Sequence, residues 1–215
     1  MKKKLSIKPK IKTNKGKAKG NNFQWEIAKK LSLAVSDKDD IFIPTADSGS
    51  RGTRRSKTKE TQITQHGDIS FEDIIGKPLI DIWNIECKSG YTKITKTKTG
   101  VTKTGWCMLD CIEGSDNPKF LEFWLQCLDD AEITKREPIL IFRRANKQPC
   151  ITFEYRYFYD VLKPLSNKLF KEWDYDSISL NIGKEVFLTM SFPNFLDWVN
   201  GNLLEFAKNV NTLQK

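Results

Sequence analysis

Apolar residues recur along the chain with two periods, and the switches between them predict the elements. Phe23, Ile27, Leu31 and Ala34 fall on one helical stripe, with Asn22 placed to cap a helix over about Phe23–Val35. Ile41-Phe42-Ile43 reads as a short strand ending at Pro44, and the polar loop Ala46-Asp47-Ser48-Gly49-Ser50 follows it. His66–Phe71 reads as a second strand. A third, long strand over Pro78–Lys88 follows the Gly76-Lys77-Pro78 turn. Residues 89–105 read as a loop or a polar hairpin. A second helix is predicted with Asn117 as cap, Pro118 at its first position, and a stripe of Leu121, Trp124, Leu125 and Leu128. Pro138 then breaks the chain, Ile139–Phe142 has the look of a buried strand, and Ile151–Tyr155 adds another. After an aromatic-rich stretch from Tyr155 to Trp173, a last amphipathic helix is predicted from near Pro193. Its stripe is Leu196, Val199, Leu203, Phe206 and Val210. The order α-β-β-β-α-β, with a further strand, predicts an α/β fold with a central mixed sheet flanked by helices.

Composition narrows this picture. The chain has 215 residues, 39% of them apolar, which is enough for a sizeable core. Its longest apolar runs are far short of the roughly 20 residues that a spanning helix needs. No apolar stretch follows the basic N-terminus, so a secretory leader and a membrane anchor are not expected, and a cytoplasmic location is. The formal charge is +9, and its placement is more telling. Residues 1–20 hold nine Lys and no acid, while the rest holds 27 basic and 27 acidic side chains. Such a tail is expected to be mobile, and suits either phosphate backbones or simple solubility. Arg51, Arg54, Arg55, Lys57 and Lys59 form a second acid-free cluster, and five Lys from Lys88 to Lys103 a third. Together they point to a polyanion partner.

The five cysteines (87, 107, 111, 127 and 150) contain no CxxC pair, which argues against a zinc ribbon and for free thiols in a reducing compartment. His66 is the one histidine, so no histidine cluster exists, and a loop or strand-edge position suits it. The carboxylates are more informative. In Asn84-Ile85-Glu86-Cys87-Lys88, alternation puts Glu86 and Lys88 on one face and Cys87 on the other. If the second and third strands form an antiparallel hairpin, Asp68 comes beside Glu86. Two carboxylates and a backbone carbonyl make a hard oxygen site suited to Mg²⁺. An edge-strand ion pair between Glu86 and Lys88 is the plainer alternative.

These residues resemble the PD-(D/E)xK nuclease superfamily, most closely the branch of archaeal Holliday junction resolvases and phage-encoded relatives. The matching pieces are Lys19-Gly20 through Glu26, Ser48-Gly49-Ser50, Gly67-Asp68-Ile69, Ile85-Glu86-Cys87-Lys88, the Trp124–Ala131 helix and the Pro138–Arg144 strand. The resemblance implies a restriction-endonuclease-like core over about residues 21–155, with a basic tail before it and a C-terminal extension over 156–215 packed on it. It implies a DNA endonuclease dependent on Mg²⁺ or Mn²⁺, acting on branched or junction DNA, in the host cytoplasm if phage-encoded. Asp68, Glu86, the Cys87 carbonyl and Glu26 are then the metal ligands. Lys88 orients water and the scissile phosphate, while Ser48, Ser50, Arg51, Arg54, Arg55 and Lys57 touch the DNA backbone. Glu26 in a first helical turn is also favoured by the helix dipole alone, and Ser48 also suits a plain turn. A homodimer is expected by the same resemblance, with the aromatics of the last helix as an interface. Gln126 is expected to be solvated and Trp124 to be core. The chain departs from the pattern at Gly67, where the superfamily name has Pro. A non-catalytic DNA-binding protein and an RNA-directed nuclease are the rival readings.

Overall fold

The computed structural model describes residues 15–45, 66–90, 92–97, 100–114, 118–166 and 169–213. The expected DNA contacts Ser48, Ser50, Arg51, Arg54, Arg55 and Lys57, and the first fourteen residues of the basic tail, lie outside them.

Helix α1 spans Lys15–Val35. It starts well before Phe23, so Asn22 lies inside the helix and is not its cap. Its stripe of Phe23, Ile27, Ala28 and Leu31 is fully buried. Ser32 ties the helix to the first strand: its hydroxyl donates to the Ala28 carbonyl (2.9 Å) and accepts the Phe42 N–H (2.9 Å). That strand, β1 (Phe42–Pro44), pairs antiparallel with β2 (Ile69–Phe71).

The next segment corrects the predicted long strand. Lys77–Ile82 is a helix, α2, and only then does β3 run from Trp83 to Gly90. Short apolar runs fit either element. Pro78 in the first turn and the Lys77–Asp81 ion pair at i,i+4 favour helix. β2 and β3 are therefore joined through α2 and not by a hairpin. The residue just before β2 bonds to β3, from the Asp68 N–H to the Ile85 carbonyl (2.7 Å).

After β3, β4 (Thr92–Thr97) and β5 (Gly100–Gly105) form the polar hairpin. Helix α3 covers Lys119–Thr134, with Pro118 as its N-cap residue and not its first turn. Its buried face is Phe120, Phe123, Trp124, Cys127 and Ala131, whereas Leu125 is 58% exposed. The predicted stripe was thus rotated by about one residue.

The central sheet has five strands in the order β3, β6 (Glu137–Arg144), β7 (Cys150–Glu154), β9 (Glu185–Ser191) and β8 (Ser177–Ile182). β3 and β6 are parallel and the other pairs antiparallel, so the sheet is mixed as predicted. Helical turns over Tyr155–Tyr157, Phe158–Leu162 and Lys163–Ser166 lead from β7 towards β8. The predicted last helix is two, α4 (Phe192–Val199) and α5 (Leu203–Leu213). Asn200 (φ 46°) and Gly201 (φ 79°) break it.

Two apolar layers cover the sheet. One joins α1, α2, α4 and α5 to Trp83, Ile85, Cys87, Ile139, Ile141 and Phe153. Its centre is Trp83, which donates to the Tyr157 hydroxyl (2.7 Å) and packs 6.1 Å from both Phe153 and Phe195. The other joins α3 and Trp106 to Leu140, Phe142, Leu180 and Phe187. Phe192, Phe195, Trp198 and Phe206 are buried in the first layer, so these aromatics of the last helices serve this chain's own core and not a dimer surface.

Candidate active site

β3 carries opposite chemistry on its two faces. Ile85 and Cys87 enter the layer under α1. Asn84, Glu86 and Lys88 alternate with them and turn towards α3. All three are buried, at 1%, 3% and 8% exposure. Charges so placed demand partners, because an unpaired charge in a low-dielectric interior is costly.

The partners come from both sides. Lys88 donates one short hydrogen bond to the Glu86 carboxylate and another, of 2.8 Å, to Gln126 Oε1 on α3. Its ammonium also lies 5.9 Å from the centre of the Phe123 ring. Gln126 is exposed, as expected, while its amide oxygen reaches in to the buried lysine. Asp68, at 4% exposure, approaches the free edge of β3, where its carboxylate accepts the Cys87 N–H at 2.8 Å. A residue's N–H and C=O leave a strand on the same side, so the Cys87 carbonyl faces that edge too.

Gly67 makes this approach possible. Its φ is +80°, and an added Cβ would lie 2.9 Å from Asn84 Oδ1 and 3.1 Å from the Ile85 carbonyl. Proline, locked near −65°, has no access to this conformation. The departure from the superfamily's Pro thus has a backbone cause.

Burial raises the Glu86 carboxyl to about 8, the neighbouring Asp68 adds to this, Lys88 opposes it, and Asp130 pushes the same way. Burial also holds the Cys87 and Cys127 thiols well above the ordinary thiol range. The raised Glu86 carboxyl beside the buried Asp68 is what a bound cation would relieve. Among the described residues no group of three or more His, Cys, Asp or Glu side chains gathers into a metal cluster. The oxygens that could hold a cation are the Asp68 and Glu86 carboxylates and the Cys87 carbonyl, a hard donor set of the kind Mg²⁺ takes while keeping several waters.

Glu26 is placed differently. Its carboxylate accepts from Arg143 (2.6 Å) and from Lys30 (3.0 Å). Burial raises its proton affinity, and the two cations more than reverse that, leaving it below the usual range. Arg143 in turn sits 4.6 Å from the Phe23 ring, on the α1 side of β6. Glu26 is thus engaged in ion pairs with Arg143 and Lys30, not with Asp68 or Glu86.

His66 lies just before β2, as a loop position would have it, but its ring is buried at 3% exposure and sits 3.7 Å from Asp130 of α3. Asp130, His66, Asn84 and Gln126 were not among the expected site residues. For all but His66 a signal existed, in the i,i+4 spacing of Gln126 and Asp130 on α3 and the i,i+2 relation of Asn84 to Glu86.

An acid before β2, followed by acid-x-Lys at the end of the next long strand, is the order that names the PD-(D/E)xK superfamily, and this is the class of protein at hand. The chain belongs to the family described as "phage putative PDDEXK endonuclease", whose model matches residues 15–208. No curated protein and no solved structure matches it. Membership places the chain among nucleases with a phage link. Among the described residues no helix is long and apolar enough to cross a membrane.

Proposed function

We propose that this chain is a divalent-metal-dependent DNA endonuclease. One observation carries the reading: Asp68, Glu86 and Lys88 are buried together at the end of β3, with Asp68 fixed by the Cys87 N–H. Asp68, Glu86 and the Cys87 carbonyl would hold Mg²⁺ or Mn²⁺. When bound, the ion polarises a phosphate oxygen and lowers the pKa of a water. Gln126 and Phe123 hold the Lys88 ammonium, which is placed to stabilise charge developing on the phosphate. Glu26 contributes to the shell only once its pairs with Arg143 and Lys30 open. The β1–β2 pair beside β3 and the parallel β3–β6 step support a restriction-endonuclease-like order.

Branched or junction DNA as substrate, backbone contacts from Ser48, Ser50, Arg51, Arg54, Arg55 and Lys57, and a homodimer acting on two strands complete the reading. These rest on the resemblance to junction resolvases and on the charge of the chain. The test is cleavage of branched, flapped and linear DNA, with matched RNA duplexes, in Mg²⁺ or Mn²⁺. Wild type is expected to cut DNA, and Asp68→Ala/Glu86→Ala to lose the activity. Equal behaviour of the two proteins overturns the enzyme reading.

A further inference from the structure

The segment His66-Gly67-Asp68 is attached to the sheet and to α3 at three successive residues. Asp68 holds β3 through its own N–H and through its carboxylate. Gly67 lies so close to Asn84 and Ile85 that no side chain fits there. His66 brings its ring up to α3, with Nδ1 3.7 Å from Asp130 Oδ1. That distance is too long for a direct hydrogen bond and within reach of a charge contact.

The same corner holds a cluster of unsatisfied polar atoms. Both ring nitrogens of His66 and both side-chain polar atoms of Asn84 are buried without a hydrogen-bond partner. His66 is 3% and Asn84 1% exposed. Leaving such groups orphaned is costly, so buried polar atoms are ordinarily met by ordered water or retained for function. Asp130 also acts electrostatically on Glu86, which links this corner to the carboxylate pair.

We propose that His66 is a positioning residue. Through the approach of its buried ring to Asp130 on α3, it fixes the turn that carries Asp68 and so sets the affinity of the Asp68–Glu86 pair for a divalent cation. This rests on the metal reading above. Groups that orient a metal ligand from behind typically change metal affinity or activity by about 10–100-fold when removed.

The experiment is Mn²⁺ binding to the full chain, measured by calorimetry and by the loss of the free Mn²⁺ paramagnetic resonance signal. The proteins are wild type, His66→Phe, His66→Gln, Asp130→Asn and Asp68→Asn. His66→Phe keeps the ring's bulk and is expected to weaken Mn²⁺ at least about tenfold. His66→Gln, which keeps a polar end, is expected to recover part of that loss. Asp130→Asn, at a part-exposed helix position, is expected to weaken Mn²⁺ in the same direction, and it keeps the test open if His66→Phe does not fold. In cleavage, the Mg²⁺ concentration for half-maximal rate should rise while the rate at saturating Mg²⁺ changes little. If His66→Phe and Asp130→Asn bind Mn²⁺ like wild type while Asp68→Asn does not, the positioning role falls and the metal reading stands. If wild type binds no Mn²⁺, both fall.

Discussion

The two faces of β3 differ in what they ask of the fold. Towards α1, Trp83, Ile85 and Cys87 lock into an apolar layer with Phe23, Phe153 and Phe195, and every contact adds stability. Towards α3, Asn84, Glu86 and Lys88 bury polar atoms and charges that an ordinary core would not accept. Adjacent residues of one strand thus serve opposite ends. The strand's alternation allows it, because a rigid apolar face can hold a costly polar one in position.

Mutating one face at a time should separate the two roles. The largest expected effect is on the polar face. Glu86→Gln or Asp68→Asn should lower cleavage by at least about a thousandfold, since several kcal/mol of transition-state stabilisation go with the metal and each 1.36 kcal/mol is tenfold. Single-turnover cleavage assays measure this. On the apolar face, Trp83→Ala should cost about 3–5 kcal/mol of stability, read by urea unfolding. The cleavage rate of the remaining folded fraction should change far less.

The next contrast is pH. In metal-free protein Glu86 binds its proton more tightly when folded, its value raised from 4.5 to about 8. Between those values the native state holds more protons than the unfolded state, so stability should fall as pH rises through that window. Glu86→Gln should flatten the slope and leave the metal-free protein more stable than wild type near pH 8. Thermal melts in a chelator across pH 5–9 check the sign. A smaller effect is expected for Gln126→Leu, about tenfold in rate, because Lys88 loses one neutral partner and keeps its place beside Phe123. Glu26→Gln should matter least to stability, at most about 1 kcal/mol, since its half-exposed ion pairs are screened.

Much of the site was legible in the sequence, for the reason that separates the two faces. Alternation along Asn84–Lys88 told which side chains share a side, and chain order put Asp68 before them. What the sequence could not show was the other wall. Gln126 is exposed, as its polar character suggests, and so is its neighbour Leu125, yet the Gln126 amide oxygen meets the buried Lys88. Whether a helix turns Trp124 or Leu125 inward depends on the groove it meets, not on hydropathy. The run Pro78–Ile82 carries no period long enough to tell strand from helix. The break at Asn200-Gly201 was readable as a left-handed stop. So was the apolar–polar alternation of Ser177–Ile182, although on its apolar face Leu180 is buried and Ile178 is exposed. His66 gave no signal, because a ring's burial is set by contacts far along the chain.

The most direct measurement is the anomalous scattering of Mn²⁺ soaked into crystals of the protein. The account predicts a peak held by the Asp68 and Glu86 carboxylates and the Cys87 carbonyl, and its loss in Asp68→Asn. A wild-type protein that cleaves DNA in Mn²⁺ yet shows no peak there, or shows one only elsewhere, would contradict it.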